Sequence, residues 1–81
     1  MIERLSEKNA APSRVQVLAW RERYTGVTIR LLAMPGDPDP IPSGTLGKVV
    51  DVDDAGSLIV QWEINRSLNV IVGTDKFEVV R

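Results

Sequence analysis

The chain contains neither cysteine nor histidine. Together these absences exclude disulfide frameworks, thiolate nucleophiles, imidazole bases and zinc sites built on Cys and His, so most enzyme classes lose their working groups. No apolar run approaches the roughly 18 residues that a membrane-spanning helix requires, and neither end carries a lipidation motif. The opening MIERLSEKNAAP lacks the apolar stretch of a secretory signal. The expectation is a cytoplasmic protein without a membrane partner, a compartment that suits a cysteine-free chain. A length of 81 residues gives room for one domain, burying about 60–65% of its unfolded surface, and none for a separate catalytic domain.

Charge is present but unevenly placed. Residues 1–30 hold six basic side chains against three acidic ones, whereas residues 31–81 hold four against eight. The C-terminal part is therefore acidic and its leader basic. An acidic surface repels phosphate backbones, which weighs against a nucleic-acid interface on that part.

Residues 1–12 are polar, of mixed charge, and end in Ala-Ala-Pro, which predicts a mobile leader. Ser13 offers an N-cap hydroxyl, Val17, Leu18, Trp20 and Tyr24 recur at helical spacing, and Gly26 supplies a stop, so residues 13–25 are predicted to form a helix. The helix would bury Trp20 and Tyr24 and leave Arg21 and Arg23 at least partly in water. Val27, Ile29 and Leu31 then alternate as a half-buried strand. Met34–Ser43 carries four prolines, none of which can donate a ladder hydrogen bond, and reads as a stiff loop. A second strand is expected over about Thr45–Asp53, where Val49 and Val52 stand three apart and imply a β-bulge near Val50 and Asp51. Asp53, Asp54 and Gly56 reverse the chain into a third strand, Ser57–Glu63, with Leu58, Val60 and Trp62 on one face. Ser67–Ile71 is expected as a fourth strand with Leu68 and Val70 inward, and Phe77 and Val79 mark a fifth after the Gly73-Thr-Asp75 turn. Residues 26–81 are thus expected to be a small, mainly β, partly open five-stranded barrel.

Gly26 to Val80 resembles a small family of uncharacterised domains found mostly in bacteria, bacteriophages and conjugative or plasmid-borne elements. The residues that carry the resemblance are Arg30-Leu31, Pro42-x-Gly44-x-x-Gly47-x-Val49, Val52-Asp53-Asp54-x-Gly56, Val60-x-Trp62, Ser67-Leu68, Gly73-x-Asp75 and Phe77-Glu78. The Arg-Glu-Arg-Tyr24 end of the helix resembles what precedes the domain in such proteins. The resemblance implies an SH3-like barrel with no assigned activity. One departure is Glu63-Ile64-Asn65-Arg66, where relatives tend to carry an Asp-Asn-Gly turn.

Chemical motifs fail on inspection. Asp51-Val-Asp53-Asp54-Ala55-Gly56 imitates the start of a calcium loop, but Ala55 and Trp62 occupy positions that need oxygen ligands, so the carboxylates read as turn formers. Gly44-Thr-Leu-Gly47-Lys48 lacks the spacing of a phosphate loop and enters a strand where that loop enters a helix. Its glycines suit a sharp turn and a close approach of backbones. No catalytic, metal or cofactor residue is expected, and the chain is read as a non-enzyme. Four residues are candidates for a partner surface. Trp62 is either a core aromatic or the anchor of a groove beside the proline-rich loop. Trp20 and Tyr24 either pack the helix or meet a partner, and Arg21 is either solvated or part of that interface. The expected function is a non-catalytic SH3-like interaction module, binding a protein or self-associating, as an accessory protein of a phage or mobile element. The alternative is nucleic-acid binding through the basic helix.

Overall fold

The computed structural model describes residues 12–80. The leader expected over residues 1–12 lies, apart from Pro12, outside the described residues. Ser13 has extended backbone and its Oγ accepts the Gln16 N–H at 3.1 Å, so helix α1 starts at Arg14 and runs to Tyr24. The Thr25 N–H still bonds the Arg21 carbonyl at 3.2 Å, and Gly26, at φ +88°, turns the chain away. Val17 is buried and Trp20, Arg21 and Tyr24 are half-buried, one stripe at helical spacing. Leu18, expected on that stripe, is 50% exposed, because one residue step rotates it about 100° from Val17.

Five strands follow: β1 Thr28–Ala33, β2 Leu46–Val52, β3 Ser57–Trp62, β4 Val70–Ile71 and β5 Lys76–Val80. They form one antiparallel sheet in the order β4-β3-β2-β1-β5. Among the described residues the fold is mainly β with one helix ahead of the sheet, as expected. Register places the inward residues in rows across the sheet, with Val79 at the exposed end of one of them. Val79, Ile29, Gly47 and Trp62 are successive partners in one row, and Phe77 pairs with Leu31 in the next. The register slips between Val49 and Asp51, which is the expected bulge. It returns Val52 to the inner face beside Leu58 and Val70, and all three, like Val49, are fully buried. A Cβ on Gly47 would lie 2.5 Å from Val60 Cγ1 and 2.6 Å from Trp62 Cε3, so what comes close to this glycine is two side chains of β3, where a close approach of backbones was expected.

The fourth strand is shorter than expected. Only Val70 and Ile71 pair with β3, and Ser67 makes an isolated bridge to Gln61. The intervening Leu68 carbonyl accepts the Trp62 indole N–H at 2.8 Å, so a side chain satisfies backbone that a ladder would otherwise use. The proline-rich segment is a loop, but a pinned one. Met34 and Ile41 are 5% and 1% exposed. The Arg66 guanidinium donates to the Pro40 carbonyl at 3.1 Å and the Asp39 carbonyl at 2.7 Å, clamping the loop's outer run to the β3–β4 connection.

Candidate binding groove

With its ends buried and its middle clamped, the Met34–Ser43 loop stands beside the sheet and leaves a groove of about 580 Å³. Gly36 and Asp37 form one wall. The other comprises Ser57 at the start of β3, Ser67 to Asn69, Ile71 of β4, and Thr74 and Asp75 of the β4–β5 turn.

Each wall is held locally. The Asp37 N–H donates to the Met34 carbonyl at 3.2 Å, and its Oδ1 accepts the Asp39 N–H at 2.8 Å. Across the groove, Asp75 Oδ2 accepts the Ile71 N–H at 2.8 Å, while the Ile71 carbonyl accepts the N–H groups of Thr74 and Asp75. That reciprocal pattern makes the turn rigid and blocks the outer edge of β4 at Ile71. Ile71 itself presents its side chain to solvent, 52% exposed.

The lining residues include two carboxylates, three hydroxyls and an amide beside one large exposed aliphatic group, and no lysine or arginine. Such a lining offers hydrogen bonds to an extended chain and an attractive site for a cationic side chain. It offers a phosphate no cation, and its two carboxylates repel one. Among the described residues no group of three or more carboxylates gathers to hold a metal ion. The acidic β2–β3 turn serves itself: Asp53 Oδ1 accepts the N–H groups of Ala55 at 3.0 Å and Ser57 at 2.8 Å, with Gly56 at φ +87°.

The four residues singled out in the sequence are not gathered into one site, and none lines this groove. Trp20 lies over the β2–β3 turn, where a Cβ on Gly56 would come within 3.0 Å of its Cζ3. Arg21 Nε donates to the Val52 carbonyl and to Asp51 Oδ1, both at 3.1 Å, and its Nη2 also meets the Val52 carbonyl. It caps backbone freed where β2 ends. Tyr24 meets Phe77 of β5 edge to face, with ring centroids 5.8 Å apart, and carries the Arg23 guanidinium 5.4 Å from its own centroid. Trp62 is 5% exposed, in the core over Gly47. The groove beside the loop exists, but Trp62 supports its wall through Leu68 and does not line it.

A smaller cleft of about 240 Å³ lies along α1 between Arg14, Leu18, Arg21 and Asp54. Arg21 is already engaged there, with Asp54 Oδ1 3.6 Å from its Nη2. Asp37, Asn69, Ile71 and Asp75 escaped the sequence reading as site residues because the proline-rich loop is brought by the fold against the distant 67–75 stretch. The Asp75 turn was the one local signal.

The fold and groove define a small, mainly β domain with a polar cleft beside its sheet. The chain belongs to the family described as Domain of unknown function (DUF4314), whose model matches residues 4–80. No curated protein and no solved structure matches the chain. Among the described residues no helix is long and apolar enough to cross a membrane.

Proposed function

We propose that this domain is an SH3-like barrel that binds an extended, basic segment of a protein partner in the groove between the Met34–Ser43 loop and β4. The observation that carries the reading is the groove's lining: exposed Ile71 in one cleft with Asp37 and Asp75, and no lysine or arginine. An extended segment satisfies its backbone on the serine, threonine and asparagine groups, buries an apolar side chain on Ile71, and sets a lysine or arginine between the carboxylates. The strand order β4-β3-β2-β1-β5, with the long loop following β1, supports the barrel assignment. The resemblance of the sequence to domains of phages and mobile elements makes an accessory protein of such an element the proposed setting.

Nucleic-acid binding through the helix draws less support. Arg21 caps β2 and Arg23 lies over Tyr24, so Arg14 is the helix arginine left without either engagement among the described residues. The test is capture of partners by the intact chain after nuclease treatment, comparing the wild type with Asp37→Asn and Ile71→Ser. Both substitutions change exposed or half-exposed groups, and Asn keeps the Oδ1 acceptor. The reading expects one captured protein to be lost with both variants. Capture abolished by nuclease or by Arg14→Glu, and indifferent to the groove variants, would point to the helix instead.

A further inference from the structure

The two ends of the sheet are treated differently. β4 is two residues long and its Ile71 backbone is consumed by the Asp75 turn, so that edge is closed. β5 is five residues long, KFEVV, and among the described residues nothing pairs with its outer side. Open strand edges are templates for a further strand.

Hydrogen-bond parity shows which groups face outward. In β1, the Leu31 N–H donates to the Thr45 carbonyl at 2.9 Å and its carbonyl accepts the Gly44 N–H at 2.7 Å. Leu31 therefore faces the β2 side, and by alternation Thr28 and Arg30 face β5. Their partners are Val80 and Glu78. Phe77 and Val79 must then direct their N–H and C=O groups away from the sheet.

We propose that β5 pairs antiparallel with β5 of a second copy about a two-fold axis at Phe77. That centre makes Phe77 opposite Phe77 a hydrogen-bonded pair, exchanging two bonds through the groups that face outward. It also sets Lys76 of each copy opposite Glu78 of the other in the close, non-hydrogen-bonded positions, where side chains interact most strongly. A centre at Glu78 would oppose like charges, and its backbone groups already face β1. Glu78 Oε1 already accepts from Arg30 Nη1 at 3.0 Å and remains 46% exposed, so a second cation can reach it. Lys76 makes no ion pair among the described residues. Beyond the axis, a cleft of about 480 Å³ between Tyr24, Val27 and Val79–Val80 leaves room for the second copy's approach. The pairing is isologous and closes on itself, as a two-fold contact must. None of the groove's lining residues lies in β5, and the nearest, Asp75, is the residue this register sets opposite Val79 of the second copy.

The test is sedimentation of the intact chain from about 10 μM to about 1 mM, for wild type, Lys76→Glu and Glu78→Lys, and for the two variants mixed in equal amounts. Wild type should dimerise. Each variant alone opposes like charges twice and should raise the dissociation constant by at least about tenfold. The mixture restores both complementary pairs and should recover the dimer, an outcome that a damaged fold would not produce. In the wild type, the Phe77 and Val79 amide hydrogens should gain exchange protection as concentration rises. A wild type that stays monomeric at the highest concentration overturns the proposal. So does a mixture no more dimeric than its components, or protection at Phe77 and Val79 that is independent of concentration.

Discussion

Ile41 is one of the side chains that hold the loop walling the groove, and Ile41→Ala measures how firmly. Ile41 is 1% exposed although prolines stand on both sides of it. Truncation to alanine removes three buried carbons, a transfer loss of about 2.4 kcal/mol at about 0.8 kcal/mol each. A cavity term brings the total to about 3 kcal/mol, inside the roughly 2–5 kcal/mol range for such truncations. A domain of this size holds only about 4–12 kcal/mol of net stability, so the loss is a large fraction of the whole. At about 4–8 °C per kcal/mol, the melting temperature should fall by roughly 12–24 °C. Urea denaturation supplies the free energy, and Pro42→Ala, at an exposed position of the same loop, serves as the comparison. A loss below about 1 kcal/mol would refute the reasoning. It would mean that the loop is not pinned to the core and that the groove has no fixed wall.

Three further substitutions probe other joints. Gly47→Ala forces a methyl against Val60 and Trp62 and should cost about 1–3 kcal/mol in a denaturation series; a neutral outcome would deny the close approach. Trp62→Phe keeps most of the ring but strands the Leu68 carbonyl, so stability should fall by about 1–3 kcal/mol, with faster amide exchange concentrated in residues 67–69. Arg21→Met keeps the aliphatic stem and removes the donors to Val52. A loss of about 0.5–1.5 kcal/mol should persist in high salt, because the main acceptor is a neutral carbonyl and the exposed ion pairs to Asp51 and Asp54 add little. A loss that vanishes in salt would reassign the effect to those pairs.

The features legible in the sequence were those written in short spacings. Val49 and Val52 three apart implied the bulge, Asp53 with Gly56 implied the hairpin turn, and alternation at Leu58, Val60 and Trp62 implied the inner face of β3. What escaped depends on contacts between distant segments. Ile41 lies in a run of prolines with no periodicity to mark it as core. Arg21 carries a charge, and the backbone carbonyl it caps is 31 residues away. Just before the short β4, the Leu68 carbonyl accepts an indole N–H, a partner choice that no strand pattern encodes. The groove residues Asp37, Ser57, Asn69 and Asp75 likewise share no motif, since the fold alone brings them to one cleft.

The central claim is that the groove between the proline-rich loop and β4 receives an extended basic segment. Its most direct test is amide chemical-shift mapping of the intact chain, titrated with a short extended peptide that carries one lysine or arginine beside an aliphatic residue. The account predicts saturable shifts at Gly36, Asp37, Ser67 to Asn69, Ile71 and Thr74–Asp75, weakened by Asp37→Asn. Shifts confined to Arg14–Arg23, or none across the groove at millimolar peptide, would contradict it.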